Sequence, residues 1–479
     1  MNRSIARLYV VLAAGFGLLA LLVGYWQVIA APDLNDRADN TQAIQRERTI
    51  DRGKITLANG TVVARSVAGK ERGQTVYRRV YEDGALAPHV IGYAVPQQGT
   101  TGLEQQYDDF LKGDYGTEPI LVRLRLRTAH GANVETTLNP AAQQAANQGL
   151  LGQRGAVVAL NPKTGAVLAM ASSPGFDLAD VQKDFGAIRN REGNPLFNRA
   201  TQGRYPPGST FKVVTATAAL EANLGYTPDS KFDDTGSIQA SGRPITNFGG
   251  KRFGEHTLTQ ALTFSVNTTF ARLGLTLGAD RLGSTMNAFG FGDRPPIDLP
   301  EGQVVPSGRL GDNGTILAND ERGEDVARIA IGQERLGVTP LQMAMVAAGI
   351  ANDGTLMKPF LMQRIVDRGG SAVRETRPQE LAQVASQANA NAVRDMMKNV
   401  VREGTGTAAA LSGLDVAGKT GTAETSTNGI NDAWFIGFAP ADDPQVAVAV
   451  VIEGTTLTGG VAAAPVAREV MKAAIGGAP

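Results

Sequence analysis

From Leu8 to Ile29 the chain is almost entirely apolar, with Gln27 its one strongly polar member. Helical residues rise 1.5 Å each, so about 20 of them cross the hydrocarbon core of a bilayer, and this stretch is long enough. Whatever folds after it must therefore fold on one side of a membrane. Arg3 and Arg7 precede the stretch while Asp33 and Asp36 follow it. That asymmetry predicts a cytoplasmic tail over 1–7, a transmembrane anchor over 8–29 and an extracytoplasmic remainder. Tyr25 and Trp26 suit the outer interface. The competing reading is a cleaved signal peptide, because Val28-Ile29-Ala30 puts small residues near a cutting point. The apolar run is long for that role.

The 479 residues are enough for two or three domains, each with its own core. Lys plus Arg number 46 and Asp plus Glu 46, so net charge gives no case for a nucleic-acid partner. The absence of cysteine excludes disulfides, thiolate metal sites and cysteine nucleophiles, and suits an oxidising compartment. His89, His130 and His256 are too few and too scattered for a zinc site or a histidine-based triad.

Between 30 and 150 the text reads as a β-rich domain. Lys54 to Val63 looks like a hairpin turning at Asn59-Gly60, and Leu121 to Arg127 alternates leucine with arginine, as a strand with one basic face would. Those arginines could meet anionic lipid or an anionic polymer, but a plain solvated strand face is the simpler reading. A second domain, 151–476, opens on two apolar strands, 156–160 and 166–170, joined by the turn Asn161 to Gly165. Helical patterns follow near 257–278 and 339–351, with long loops over 284–325. Strands at 433–438 and 445–451 and a helix over 464–475 close the chain. Strands at both ends with helices between predict an α+β fold, an antiparallel sheet closed by both ends of the domain and packed on a helical lobe.

Within that lobe, Pro206-Pro207-Gly208 breaks the chain and a helical run of about four turns starts at Ser209. Lys212 falls three residues on, on the same face. A serine needs a base to become a nucleophile, and a lysine can be one if burial or a neighbouring cation lowers its pKa. Such a spacing arises about once by chance in a chain this long, and taken alone a capping serine followed by a solvated lysine is the simpler explanation.

Two further motifs change that balance. Ser265-Val266-Asn267 follows a helical stretch, and Lys419-Thr420-Gly421-Thr422 precedes the strand at Trp434. Ser-x-x-Lys, Ser-x-Asn and Lys-Thr-Gly in this order form the signature of penicillin-binding proteins and serine β-lactamases. Two decoys fall out of order: Lys163-Thr164-Gly165 precedes the serine, and Ser426-Thr427-Asn428 follows Lys419. Both read as turn residues.

Nearly end to end, the chain resembles the class B high-molecular-weight penicillin-binding proteins, which carry such a transpeptidase domain on an elongated pedestal. In the pedestal, Arg52-Gly53-Lys54-Ile55, Arg79-Val80-Tyr81, His89 to Tyr93 and Gly102-Leu103-Glu104 look like that family's non-catalytic motifs, with Glu82 where a proline is usual. Ile331-Gly332-Gln333, Val338 to Gln342 and Trp434 to Pro440 are similar to its recurring segments. The short pedestal and the lack of an appended C-terminal domain look most like the penicillin-binding protein A branch of actinobacteria.

The resemblance implies a D,D-transpeptidase that cross-links peptidoglycan stem peptides and is acylated by β-lactam antibiotics. Ser209 would be the nucleophile, Lys212 its base, Ser265 a proton relay and Asn267 the holder of Lys212 and the substrate amide. Lys419 would keep Lys212 deprotonated and, with Thr420, Gly421 and Thr422, bind substrate. The N–H groups of Ser209 and Thr422 would form the oxyanion hole. No metal or organic cofactor is implied. The expected partners are the plasma membrane and a glycan-polymerising protein of division or elongation. A carboxypeptidase, a β-lactamase and a catalytically silent wall scaffold are the alternatives. A secreted β-lactamase fits poorly with a pedestal and an anchor, and a silent scaffold with three intact motifs.

Overall fold

The structure, a computed structural model, describes residues 2–30, 45, 47–115, 130–319, 325–425, 427 and 429–476. Helix α1 (Asn2–Gly24) runs into a π-helical turn, Tyr25–Ile29. Leu8, Phe16 and Leu21 are each more than 60% exposed, and none of the apolar window between Arg3 and Gln27 is buried in the protein. A helix this long and apolar, with nothing packed on it among the described residues, is suited to cross a membrane once.

The pedestal begins with β1 (Ile55–Thr56), β2 (Val62–Glu71), β3 (Gln74–Tyr81) and β4 (Asn133–Thr136). β1 and β2 are antiparallel about the Asn59-Gly60 turn, as the sequence predicts, and β4 lies parallel to β1. The predicted strand over 121–127 lies outside the described residues. Next come α2 (Pro140–Gly149), β5 (Gly155–Leu160) and β6 (Val167–Ser173), then the helices α3 (Lys212–Glu221), α4 (Leu258–Thr263), α5 (Asn267–Ala288) and α6 (Pro340–Ala351). The chain continues through β7 (Met362–Val366), β8 (Ala372–Glu375) and α7 (Gln387–Arg402). It finishes with β9 (Ala417–Glu424), β10 (Asn431–Ala439), β11 (Val446–Thr455) and α8 (Gly459–Gly476).

Five strands form an antiparallel sheet in the order β9-β10-β11-β5-β6, so the start and the end of the larger domain meet at its centre. Val446 to Ile452 is buried at every position. A strand reads as a continuous apolar run when both faces are covered. Here α8 packs on one face together with α2, while α6, itself buried along its whole length, backs β11 and β5.

The pedestal sheet, in the order β8-β7-β4-β1-β2-β3, is completed from elsewhere. β7 and β8 leave the larger domain, and β7 pairs with β4 through Ile365 opposite Val134. The sequence division at residue 150 did not anticipate this, because a hairpin pattern carries no label saying which sheet it joins. The long-loop expectation also gives way at its start, where α5 continues to Ala288.

Candidate active site

Between the sheet edge β9 and the helical lobe lies a cleft of about 740 Å³ lined by Ser209, Ser265, Asn267, Thr420 and Thr422. A groove of similar size, about 710 Å³, lies between pedestal and larger domain around His89 and Phe176. Volume therefore does not choose between them, and chemistry does.

Ser209 lies in a 3-10 turn, Gly208–Phe211, and the α-helix starts only at Lys212. The predicted helix thus opens with a tighter turn, which eclipses residues i and i+3 and keeps Ser209 and Lys212 on one side. The turn sits where three backbones converge. Gly208 has φ 52° and donates its N–H to Gly332 O at 2.9 Å. A Cβ on Gly332 would come 1.9 Å from Gly208 O, and one on Gly421 2.7 Å from Pro207 O. Only glycine allows those approaches. Gly421 accordingly does not line the cleft. It was expected to bind substrate, and the structure instead places it where the nucleophile turn rests on β9. Trp434 Nε1 secures the same turn, donating to Pro206 O at 3.0 Å.

Ser265 links α4 to α5 with φ 61°, a left-handed conformation that side chains other than glycine adopt at a cost. Its carbonyl accepts a hydrogen bond from Lys212 Nζ at 2.8 Å. The same amine donates to Asn267 Oδ1 at 2.6 Å and lies 3.2 Å from Ser265 Oγ. Lys419, reaching in from β9, donates to Ser265 Oγ at 3.0 Å and to Thr420 O at 2.9 Å. One hydroxyl therefore stands between two amines. Ser209 Oγ is not among the hydrogen-bond partners of Lys212.

Both lysines are fully buried, and among the described residues neither has a carboxylate within salt-bridge distance. Burial disfavours the charged form. It lowers the Lys419 pKa to about 7. Burial, with Lys419 as a second cause, holds Lys212 well below the ordinary lysine range. A buried lysine so placed is a ready proton acceptor near neutral pH.

Known proteins match this chain over nearly its whole length. The family model described as the penicillin-binding protein transpeptidase domain matches residues 155–472, and that of the penicillin-binding protein A dimerisation domain matches 52–134. The peptidoglycan D,D-transpeptidase PbpA of Mycolicibacterium smegmatis is 36% identical, over 99% of both chains. This chain belongs to the penicillin-binding protein transpeptidase family. The PbpA of Mycobacterium tuberculosis is 35% identical over all of both chains. A solved ceftriaxone acyl-enzyme complex of penicillin-binding protein A from M. tuberculosis superposes with TM-score 0.80 at 33% identity, covering 90% of this chain and 99% of that one. The D,D-transpeptidase domain from Eggerthella lenta gives 0.78 at 38% identity, covering 89% and 99%.

In this penicillin-binding protein the decoy Lys163 lies in its turn, exposed and paired with Asp443, and contributes nothing to the cleft. The second decoy falls on Ser426 and Asn428, outside the described residues. Several contributors escaped the sequence reading. Thr405 Oγ1 lies 2.6 Å from Thr420 Oγ1 and fixes that hydroxyl. Buried Asp234 accepts from Thr268 Oγ1 (2.6 Å), Asn247 Nδ2 (2.7 Å) and the N–H of Phe253 (2.8 Å), which holds the segment 247–253 against the start of α5. Asn267 Nδ2 completes that junction by donating to Thr246 O at 2.8 Å. No local pattern marks Asp234 or Thr405, since both act across long stretches of chain.

Proposed function

We propose that the cleft catalyses D,D-transpeptidation of peptidoglycan stem peptides through an acyl-enzyme on Ser209. The observation that carries this reading is the pair of buried amines, without a carboxylate among the described residues, converging on Ser265 Oγ. Ser209 Oγ attacks the carbonyl of the penultimate D-alanine and its proton passes to neutral Lys212. Lys212 must turn from one of its present partners to accept it. Catalytic hydrogen bonds of an unliganded site often tighten only around substrate. The oxyanion is stabilised by the N–H groups of Ser209 and Thr422, each worth about 3 kcal/mol in typical acyl-transfer sites.

As the C–N bond breaks, Ser265 gives its proton to the departing D-alanine amine and regains one from the Lys212 ammonium 3.2 Å away. Lys419 and the hydroxyls of Thr420 and Thr422 hold the terminal carboxylate. An amine of a neighbouring stem peptide then attacks the ester, the C–O bond to Ser209 breaks, and the cross-link is closed. A β-lactam enters the same path, and its amide cleaves without releasing a fragment that could diffuse away.

In this reading Arg3 and Arg7 stay cytoplasmic and the catalytic domain faces the wall, where a glycan-polymerising partner on the same membrane would supply strands. Labelling with a fluorescent penicillin tests the assignment. The wild-type protein takes up label and Ser209→Ala does not. Label at the wild-type level in that variant removes the assignment.

A further inference from the structure

The amide of Asn267 has two ends, and both are engaged. Oδ1 accepts from Lys212 Nζ at 2.6 Å, and Nδ2 donates to Thr246 O at 2.8 Å. The lysine does not decide which end faces it, because a neutral amine has a lone pair as well as N–H groups. A backbone carbonyl can only accept. Thr246 O therefore fixes the amide, with its oxygen on the lysine and its second N–H without a partner among the described residues. Turned over, the amide would point an N–H at the lone pair that the base needs.

Thr246 is itself exposed, at the end of a strand, Arg243–Thr246, that pairs with Ser237–Ala240 in a two-stranded ribbon. Such a ribbon is marginal by itself. Arg328 Nη2 steadies its start, donating to Arg243 O at 3.2 Å. Asp234 steadies its end. One carboxylate oxygen accepts from Thr268 Oγ1 (2.6 Å) and the N–H of Gly236 (2.8 Å), the other from Asn247 Nδ2 (2.7 Å) and the N–H of Phe253 (2.8 Å). Asn247 is the residue after Thr246, and Thr268 is the residue after Asn267. The Thr268 N–H also donates to Asn247 Oδ1, at 3.2 Å. Asp234, Asn247 and Thr268 are all buried. Burial alone would push the Asp234 carboxyl up, but its four donors outweigh that and hold it below the usual carboxylate range.

We propose that Asp234 is a positioning residue for acyl transfer: by tying together the neighbours of Thr246 and Asn267, it keeps Asn267 Oδ1 on Lys212. The inference rests on the transpeptidase reading, in which Lys212 is the base. Hydrogen bonds to an ionised carboxylate are shorter and stronger than those to a neutral group. A carboxamide at 234 would weaken the junction and also turn a donor toward one of the four donors now bound there. Asp234 does not line the cleft, so any effect it has on rate must pass through another residue.

The test is a double-mutant cycle on the full-length protein in detergent, read by the second-order rate of benzylpenicillin acylation. Melting curves set a temperature at which every variant is folded. Asp234→Asn should slow acylation about tenfold in the wild-type background, and less than about twofold once Asn267→Ala has removed the amide it orients. Loss by the same factor in both backgrounds overturns the proposal, because a merely structural role would not depend on Asn267. An unchanged rate in Asp234→Asn overturns it too. If Asp234→Asn does not fold, the same cycle is run with Thr268→Val, which removes one donor with little change of shape. That variant should lose rate only where Asn267 is present, and Thr268→Ser, which keeps the hydroxyl, should acylate at nearly the wild-type rate. A Thr268→Ser as slow as Thr268→Val overturns the proposal, since the bond to Asp234 is then not what matters. If benzylpenicillin does not acylate wild-type Ser209, the transpeptidase reading itself has failed, an outcome distinct from all of these.

Discussion

In the pedestal, Arg52 and Arg79 close on buried Glu104, at 2.7 Å and 2.6 Å, with Asp108 a further partner of Arg52 at 2.6 Å. In the catalytic cleft, Lys212 and Lys419 are buried as completely, with no carboxylate beside them among the described residues. Burial alone would push the Glu104 carboxyl up, but Arg79 and Arg52 outweigh it and hold the group below the usual carboxylate range. At the lysines neutral oxygens accept the hydrogen bonds and, among the described residues, no carboxylate offsets burial. The first arrangement fixes a charge and uses arginine, whose planar fork can bridge a carboxylate. The second unsettles a charge and uses lysine, whose pKa gives way when buried. Removing a group from the pedestal cluster should therefore cost stability, and removing one from the cleft should cost rate.

The largest effect falls on Lys212→Met. Loss of the base should slow benzylpenicillin acylation by about 10³-fold, within the range typical of general bases, while thermal stability holds or rises. Stopped-flow acylation beside a melting curve reads both, and a destabilised but catalytically normal variant would erase the contrast. Glu104→Gln should do the reverse. It leaves the buried Arg79 guanidinium without its anion and half-buried Arg52 with Asp108 alone, costing about 3 kcal/mol of stability, with acylation of the folded protein unchanged. Urea unfolding measures it.

Lys419→Ala comes next, slowing acylation at least about tenfold, since one unit in the Lys212 pKa is worth 1.36 kcal/mol. Lys163→Ala, its decoy twin, should change stability by less than about 0.5 kcal/mol and acylation hardly at all. Equal loss in both variants would discredit motif order as a guide. The smallest effect is a slope. Lys419 titrates near 7 in the folded protein, against an ordinary lysine value of 10.5 when unfolded. Between those values the unfolded chain binds the extra proton, so this group makes stability rise with pH across that window. Lys419→Met should flatten the rise in denaturant titrations from pH 7 to 10, and the acylation rate of wild type should fall as pH drops through the lowered Lys212 value.

The sequence told most where chemistry is local. The 3-residue spacing of Ser209 and Lys212, the order of three motifs and the apolar runs of β5, β10 and β11 all depend on near neighbours. The left-handed turn at Ser265 was invisible, because nothing in Phe264-Ser265-Val266 demands positive φ and only the meeting of α4, α5 and Lys212 imposes it. Lys419-Thr420-Gly421 read as a motif but not as an edge strand, since its single glycine suggests a break until Pro207 is seen lying against it. The pedestal motifs were recognised by likeness. Their physical content, Arg52, Arg79 and Glu104 assembled from three separate segments, needed the fold.

The hairpin β7–β8 sets a timetable for biosynthesis. A nascent chain normally lets each domain fold as it appears, N-terminal part first. Here the pedestal emerges early, yet β4 keeps a bare edge until residues 362–375 have followed it out and laid two strands alongside. An unpaired edge invites wrong partners during that interval. Truncations ending between β4 and β7 should therefore yield a sticky pedestal rather than a separable one.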